Sequence, residues 1–420
     1  MPCLRLTLCS GTFIHMRAQL QTVLCSLLGD AIRGRPHRNR PALSPYAWNH
    51  LLDLALQHSV LAILYPALVG MPQGTVPAAL LDRWQLLTLQ AGIQEARRFQ
   101  EALALTSALA ERSIACVAFK GMVLRTLYPQ PDLRTMGDID LLVRPADLLM
   151  AEALLQERGL RPVGVNAHHH SWRSGPGLFV EVHTALFKKS DGALEQTFFA
   201  QAIPHQEAGR RYCAPAPEDA AVYQILHMAK HFRYLGFGLR ELADLVLQCE
   251  QNLSLARVLE RLDACGTGRF GRAALLVAGR LLDLHLPEVT VAAWNIPPAT
   301  VTRLAETILS AGTHDKTNIE NALFLAAKSQ EYGTTAASAP PARWRFLVWF
   351  FFPTASALHP RYAYATKHRG LLPLAWIHRL ARTALLAPAT AWAMLRFGVR
   401  YLCMGNQRRR FERDLGLSQP

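Results

Sequence analysis

The sequence predicts a small mixed sheet with helices, an α+β core, set between helical regions. Three observations predict it. Apolar residues recur at helical spacing from Trp48 to Arg112, short apolar runs alternate with helical stretches from Ile114 to His183, and helical spacing returns after Pro217. A chain of 420 residues has room for two or three units.

In chain order, 1–45 reads as a lead segment ending in an Arg-, Pro-, Asn- and Ser-rich linker from Arg33 to Pro45. Two helical stretches, Trp48 to Val69 and Val76 to Arg112, flank the Gly70–Thr75 turn and make 46–112 a helical hairpin or small bundle. Ile114 to Phe119 is a short apolar run ended by Lys120-Gly121, followed by a helix from Met122 to Tyr128 that Pro129 stops. Asp132 to Gly137 connects to a buried strand, Ile139 to Val143, and then to a helix, Ala146 to Arg158, closed by Gly159. A further strand runs from Leu178 to His183, so 113–215 is the α/β core. The 216–340 region reads as helical, with candidates at Glu218–Phe232, Leu239–Glu250, Leu255–Cys265 and Ala273–Leu284. Residues 341–420 form a basic, aromatic tail with no acidic residue between Arg345 and Arg410.

Half of the residues are apolar and 18% are charged, which excludes a disordered or fibrous chain. Lys plus Arg exceed Asp plus Glu by 45 − 31 = 14, a surplus that attracts polyanions such as triphosphates, nucleic acid or anionic lipid. The eight cysteines contain no CxxC and no regular spacing, which suits reduced thiols and a cytoplasmic location. Residues 1–28 hold no long uninterrupted apolar run before a small-residue cleavage site, so secretion is not expected. Neither apolar run of the tail is long enough for a transmembrane span. Its Trp344, Trp349, Trp376 and Trp392 lie among Arg and Lys, which allows either a core helix or peripheral contact with anionic lipid. No recognisable module predicts specific nucleic-acid binding.

Chemistry concentrates at Asp138-Ile139-Asp140. The period of two puts both carboxylates on one face of the strand, where their repulsion is relieved by divalent cations. Such a DxD also occurs in glycosyltransferases, in phosphatases of the dehalogenase type and by chance in loops. Lys120-Gly121 lies at a strand-to-helix turn suited to phosphate, although a solvated lysine is the plainer reading of Lys120. In Leu178 to His183, alternation puts Glu181 on a face with Phe179 and His183; Glu181 is either a third carboxylate or an edge-strand charge.

Phe119-Lys120-Gly121, Tyr128-Pro129, Arg134 and Gly137-Asp138-Ile139-Asp140-Leu141-Leu142-Val143 together resemble the uncharacterised nucleotidyltransferase family, which has the polymerase-beta-like fold. Glu181-Val182-His183 is similar to its acidic-x-His strand, and Leu239-Arg240-Glu241-Leu242-Ala243-Asp244 to its Arg-x-x-x-Asp helix, preceded by His227 and His231. The resemblance covers roughly 46–290 and extends to Trp376-Ile377-His378-Arg379 near the end. It implies Asp138, Asp140 and Glu181 as catalytic ligands of Mg²⁺ or Mn²⁺, and Lys120, Gly121, Arg134, Arg240 and Asp244 around the phosphates of a nucleoside triphosphate. The acceptor it implies is a small molecule, peptide or protein. A non-catalytic interaction protein retaining the fold and a DxD-dependent glycosyltransferase are the alternatives. His168-His169-His170 reads as a loop, since adjacent residues cannot all converge on one ion. Arg240 and Asp244, four apart, are expected to pair on a helix surface.

Overall fold

The computed structural model describes residues 3–37, 41–165, 169–175, 178–187, 192–234, 236–311, 351–354, 358, 362–386, 388, 391–392, 394–395 and 410–417. Residues 1–229 and 237–313 make one compact unit; 230–236 and 314–420 make a second.

The first unit opens on α1 (Cys3–Ala31), α2 (Pro45–Gln57), α3 (Leu61–Val69) and α4 (Ala78–Glu111). The expected helix from Trp48 to Val69 is therefore two helices. The chain breaks at Ser59, which turns to φ 55°, and the buried His58 side chain accepts the Leu239 N–H at 3.3 Å, so tertiary contact overrides the helical spacing. Ser44 caps α2 by accepting the Ala47 N–H at 3.2 Å.

Next come β1 (Cys116–Phe119), the single turn α5 (Gly121–Leu124), β2 (Ile139–Val143), α6 (Leu148–Glu157), β3 (Arg161–Val165), β4 (His169–Ser174) and β5 (Leu178–His183). The helix expected from Met122 to Tyr128 is only α5 followed by a 3₁₀ turn at Arg125–Leu127, so little helix dipole faces the Lys120-Gly121 turn. The five strands form one mixed sheet in the order β1-β2-β5-β4-β3, with β2 and β5 parallel and the other neighbours antiparallel. The architecture is thus α+β. β3 and β4 were not legible in sequence: every side chain of β3 is exposed, so it lacks an alternating apolar face. Strand β4 corrects the loop expected at His169 and His170; His168 lies outside the described residues.

Then follow α7 (Ala193–Ala200), the hairpin β6 (Ile203–Glu207) and β7 (Arg210–Ala214), α8 (Pro217–Tyr234), α9 (Leu239–Cys249), α10 (Leu255–Ala264), α11 (Gly268–Leu282), α12 (Glu288–Ala293) and α13 (Pro298–Ala311). The hairpin turns through Ala208 and Gly209, both at positive φ, the conformation that matches strand twist in a two-residue turn.

One sheet face packs Ala118, Ile139, Leu141, Trp172, Val180 and Val182 against Phe99, Ala102 and Leu103 of α4 and Leu154 and Leu155 of α6. The other carries Val117, Phe119 and Leu142 against Phe198 of α7 and Tyr223 of α8. By alternation Asp140, Glu181 and His183 lie on this second face.

The second unit includes α14 (Ala363–Lys367) and α15 (Leu372–Leu386), where Tyr362, Ala365 and Ala375 form a small core. On and beyond α15, Leu374, Ile377, Leu385, Leu386 and Trp392 are exposed. No helix among the described residues is long and apolar enough to cross a membrane.

Candidate active site

Strand register assembles the site. Phe119 of β1 lies opposite Asp140 of β2, and Asp140 lies opposite Glu181 of β5. Asp138 sits just before β2 and returns to the same face two residues earlier. Ligand atoms of Asp138, Asp140 and Glu181 lie within 4.8 Å of one another. The sheet thus brings together the three carboxylates that are 43 residues apart in the chain at their furthest, Asp138 to Glu181.

Asp140 is buried at 1% exposure and has two partners on one oxygen. Its Oδ1 accepts from Lys120 Nζ at 2.6 Å and meets His183 Nε2 at 3.0 Å. Oδ2 is buried with no hydrogen bond. A buried carboxylate oxygen left without a donor is costly, and a cation is the kind of partner that satisfies it. The all-oxygen donor set suits Mg²⁺ or Mn²⁺.

The electrostatics are uneven. Burial works to raise Asp140, yet Lys120 and then His183 outweigh it and hold the carboxyl at about 2. Burial, and after it the charge of Asp140, pushes Asp138 up to about 6. For Glu181, burial acts upward and the hydrogen bond from His183 prevails, leaving it below the ordinary range. Burial disfavours charge on His183, but its bonds to Asp140 and Glu181 raise its pKa overall.

Lys120 points inward to Asp140, so the solvated lysine of the plainer reading is not what the fold contains. Its backbone is unusual for a side-chain-bearing residue, at φ 52° and ψ −125°. Burial opposes its charge, but Asp140 more than compensates and keeps it an ammonium. Gly121 is required by close approach: a Cβ there would lie 2.7 Å from Met136 Cγ and 2.9 Å from Arg134 Nη1.

Arg134 and Asp244 are both buried and form a two-point ion pair, Nε to Oδ1 at 3.1 Å and Nη2 to Oδ2 at 2.7 Å. The Tyr128 hydroxyl donates to the same Asp244 Oδ1 at 2.8 Å. This corrects the expected Arg240–Asp244 surface pair: α9 turns Asp244 into the core, where Arg134 neutralises it. Arg240 instead donates from Nη1 to the Thr135 carbonyl at 3.3 Å.

Several residues escaped sequence reasoning. Glu95 of α4, fully buried, accepts the Met136 N–H at 2.8 Å and holds the loop that leads into Asp138. A charged residue on the apolar face of a long amphipathic helix was the available signal. Tyr223 and Phe119 wall the site, with ring centroids 5.1 Å apart, and Phe119 packs edge-on to His183 at 5.1 Å. His169 lies opposite His183 on β4, with Nε2 3.6 Å from Glu181 Oε1. His170 faces the other way, to Glu152 of α6 at 2.5 Å.

A family model described as uncharacterised nucleotidyltransferase matches residues 44–283. No curated protein matches. One similar solved structure is the crystal structure of an antigenic nucleotidyltransferase-like protein from Paracoccidioides brasiliensis. That chain is 17% identical, with 46% of this chain and 95% of the other covered and a TM-score of 0.29. With more than half its length matched, and with the motif carboxylates inside the matched region, this chain belongs to the uncharacterised nucleotidyltransferase family.

Proposed function

We propose that the protein moves a nucleoside monophosphate from a nucleoside triphosphate to an acceptor, with Mg²⁺ or Mn²⁺ as cofactor. The observation that carries this is the convergence of Asp138, Asp140 and Glu181 around a buried, unpartnered Asp140 oxygen, beside the Lys120-Gly121 turn. In the reaction the acceptor's oxygen or nitrogen forms a bond to the α-phosphorus. The bond from that phosphorus to the bridging oxygen breaks, and pyrophosphate and a proton leave.

Asp138, Asp140 and Glu181 are the residues that would hold divalent cation, which when bound offsets phosphate charge and lowers the acceptor's pKa. Lys120 keeps Asp140 ionised and oriented through its 2.6 Å contact. His183 does the same from the other side and also approaches Glu181 Oε2 at 3.4 Å. Lys120, Gly121 and Arg240 are the groups we assign to the phosphates, since cationic side chains and the backbone N–H groups of a turn suit oxyanions. Arg134 and Asp244 act at one remove, fixing the loop from Arg134 to Asp138. The acceptor is left as a small molecule, peptide or protein.

The test is incubation of the full chain with each α-labelled triphosphate and Mg²⁺ or Mn²⁺, followed by a search for label on added acceptors and on the protein itself. Label transfer that stops in Asp138→Asn supports the reading. Transfer that persists in Asp138→Asn, or no transfer together with no triphosphate-dependent rise in melting temperature, refutes it. A second reading concerns the tail: the exposed Leu374, Ile377, Leu385, Leu386 and Trp392, near Arg379 and Arg382, favour peripheral contact with anionic lipid.

A further inference from the structure

The sheet places a second donor set next to the carboxylates, and this one contains nitrogen. His169 and His183 are directly opposed in the antiparallel β4–β5 pair, and Glu181 precedes His183 by two residues, so period two brings all three to one face. His169 Nε2 lies 3.6 Å from Glu181 Oε1, and His183 Nε2 lies 3.4 Å from Glu181 Oε2. One donor atom from each of the three residues falls within 4.8 Å of the others.

We propose that His169, Glu181 and His183 form a cation site for a borderline transition metal such as Zn²⁺, adjoining the Asp138–Asp140 pair and sharing Glu181 with it, the ion taking the place of the proton between His183 Nε2 and Asp140 Oδ1. A tetrahedral ion with bonds of about 2.0–2.1 Å spaces its ligands roughly 3.3 Å apart, close to both Glu–His separations. Imidazole nitrogen suits Zn²⁺, Cu²⁺ or Co²⁺ and is a poor match for Mg²⁺. The side chains are shielded without being sealed: exposures are 12% for His169, 17% for Glu181 and 3% for His183. Phe119 packs edge-on to the His183 ring and restrains its orientation. Three protein ligands leave a fourth position for water or an acceptor group, as in sites that do chemistry rather than staple a fold.

The site takes its ion without nucleotide, so its test is independent of nucleotidyl transfer. Tag-free full-length protein is titrated with Co²⁺ alone, following visible d–d absorption and equilibrium dialysis, in the presence of millimolar Mg²⁺. One Co²⁺ is expected to bind, with His169→Gln weakening it by about tenfold or more. Asp138→Asn, outside the three ligands, is expected to retain it. Cu²⁺-loaded parent protein is expected to give the nitrogen modulation of two coordinated imidazoles by pulsed electron paramagnetic resonance, a readout that holds even if a variant misfolds. Equal Co²⁺ affinity in parent and His169→Gln, loss confined to Asp138→Asn, or no imidazole signal in the parent would each overturn the proposal, leaving the histidines as hydrogen-bond partners of Glu181.

Discussion

Asp138 and Asp140 share a strand face but have different surroundings, and their substitutions should separate stability from turnover. Sequence alone suggests that neutralising either relieves repulsion. The structure distinguishes them. Asp138 is raised to about 6 by burial and by Asp140, so Asp138→Asn should leave the melting temperature unchanged or higher. Asp140 neutralises Lys120 and bonds His183, and Asp140→Asn should cost about 3–5 kcal/mol by stranding the buried ammonium. Both should lower turnover at least about a hundredfold. Melting curves and label-transfer rates of the two variants check this; equal melting temperatures would contradict the electrostatic account. Arg134 needs a similar revision. Its place in a buried pair with Asp244 means that Arg134→Ala should destabilise by about 3–5 kcal/mol, read by urea unfolding, rather than weaken triphosphate binding in an intact fold.

At the scale of elements, α2 and α9 meet through His58. Burial lowers its pKa from the ordinary 6.5 to about 4, and its Nδ1 accepts the Leu239 N–H, which a protonated ring could not do. The native state therefore stays neutral where the unfolded chain binds a proton. Stability is fully present above about pH 6.5, falls as pH drops toward 4, and the loss reaches about 3 kcal/mol. Urea unfolding of the parent and of His58→Asn at pH 7.5 and 4.5 should show the larger pH-dependent loss in the parent. The turn between β1 and α5 is equally constrained. Gly121→Ala would press on Met136 and Arg134, and overpacking of this kind typically costs about 1–3 kcal/mol. Turnover should fall further than stability, because the displaced loop carries Asp138; an unaltered rate would show that the loop can yield.

For the whole molecule, the surplus of 14 basic charges should make association with triphosphate faster at low salt. The aromatic, basic tail leads to a separate expectation. The full chain should sediment with phosphatidylserine vesicles and be released by salt, while a chain ending at residue 340 should lose sedimentation and keep triphosphate-dependent stabilisation. Within the second unit Phe411 packs on Phe232 and the Leu417 carbonyl accepts from Arg233, so the shortened chain should also melt lower. Vesicle binding unchanged by the deletion would remove the tail from any membrane role.

The sequence by itself determined the strands that carry chemistry. Ile139–Val143 and Leu178–His183 are apolar runs with clear ends, and a DxD and an E-x-H at period two state which side chains share a face. Those patterns depend on neighbours along the chain. What tertiary structure decided was everything set by partners far away in sequence. β3 has no apolar face to announce it, and β4 is a strand because β3 and β5 pair with its backbone. His58 interrupts a helical pattern through a contact 181 residues away. Asp244 and Arg240 look paired at i,i+4, yet Asp244 is buried facing Arg134, 110 residues upstream. A buried charge is satisfied by whichever opposite charge the fold brings within reach, and one-dimensional spacing carries no record of that choice.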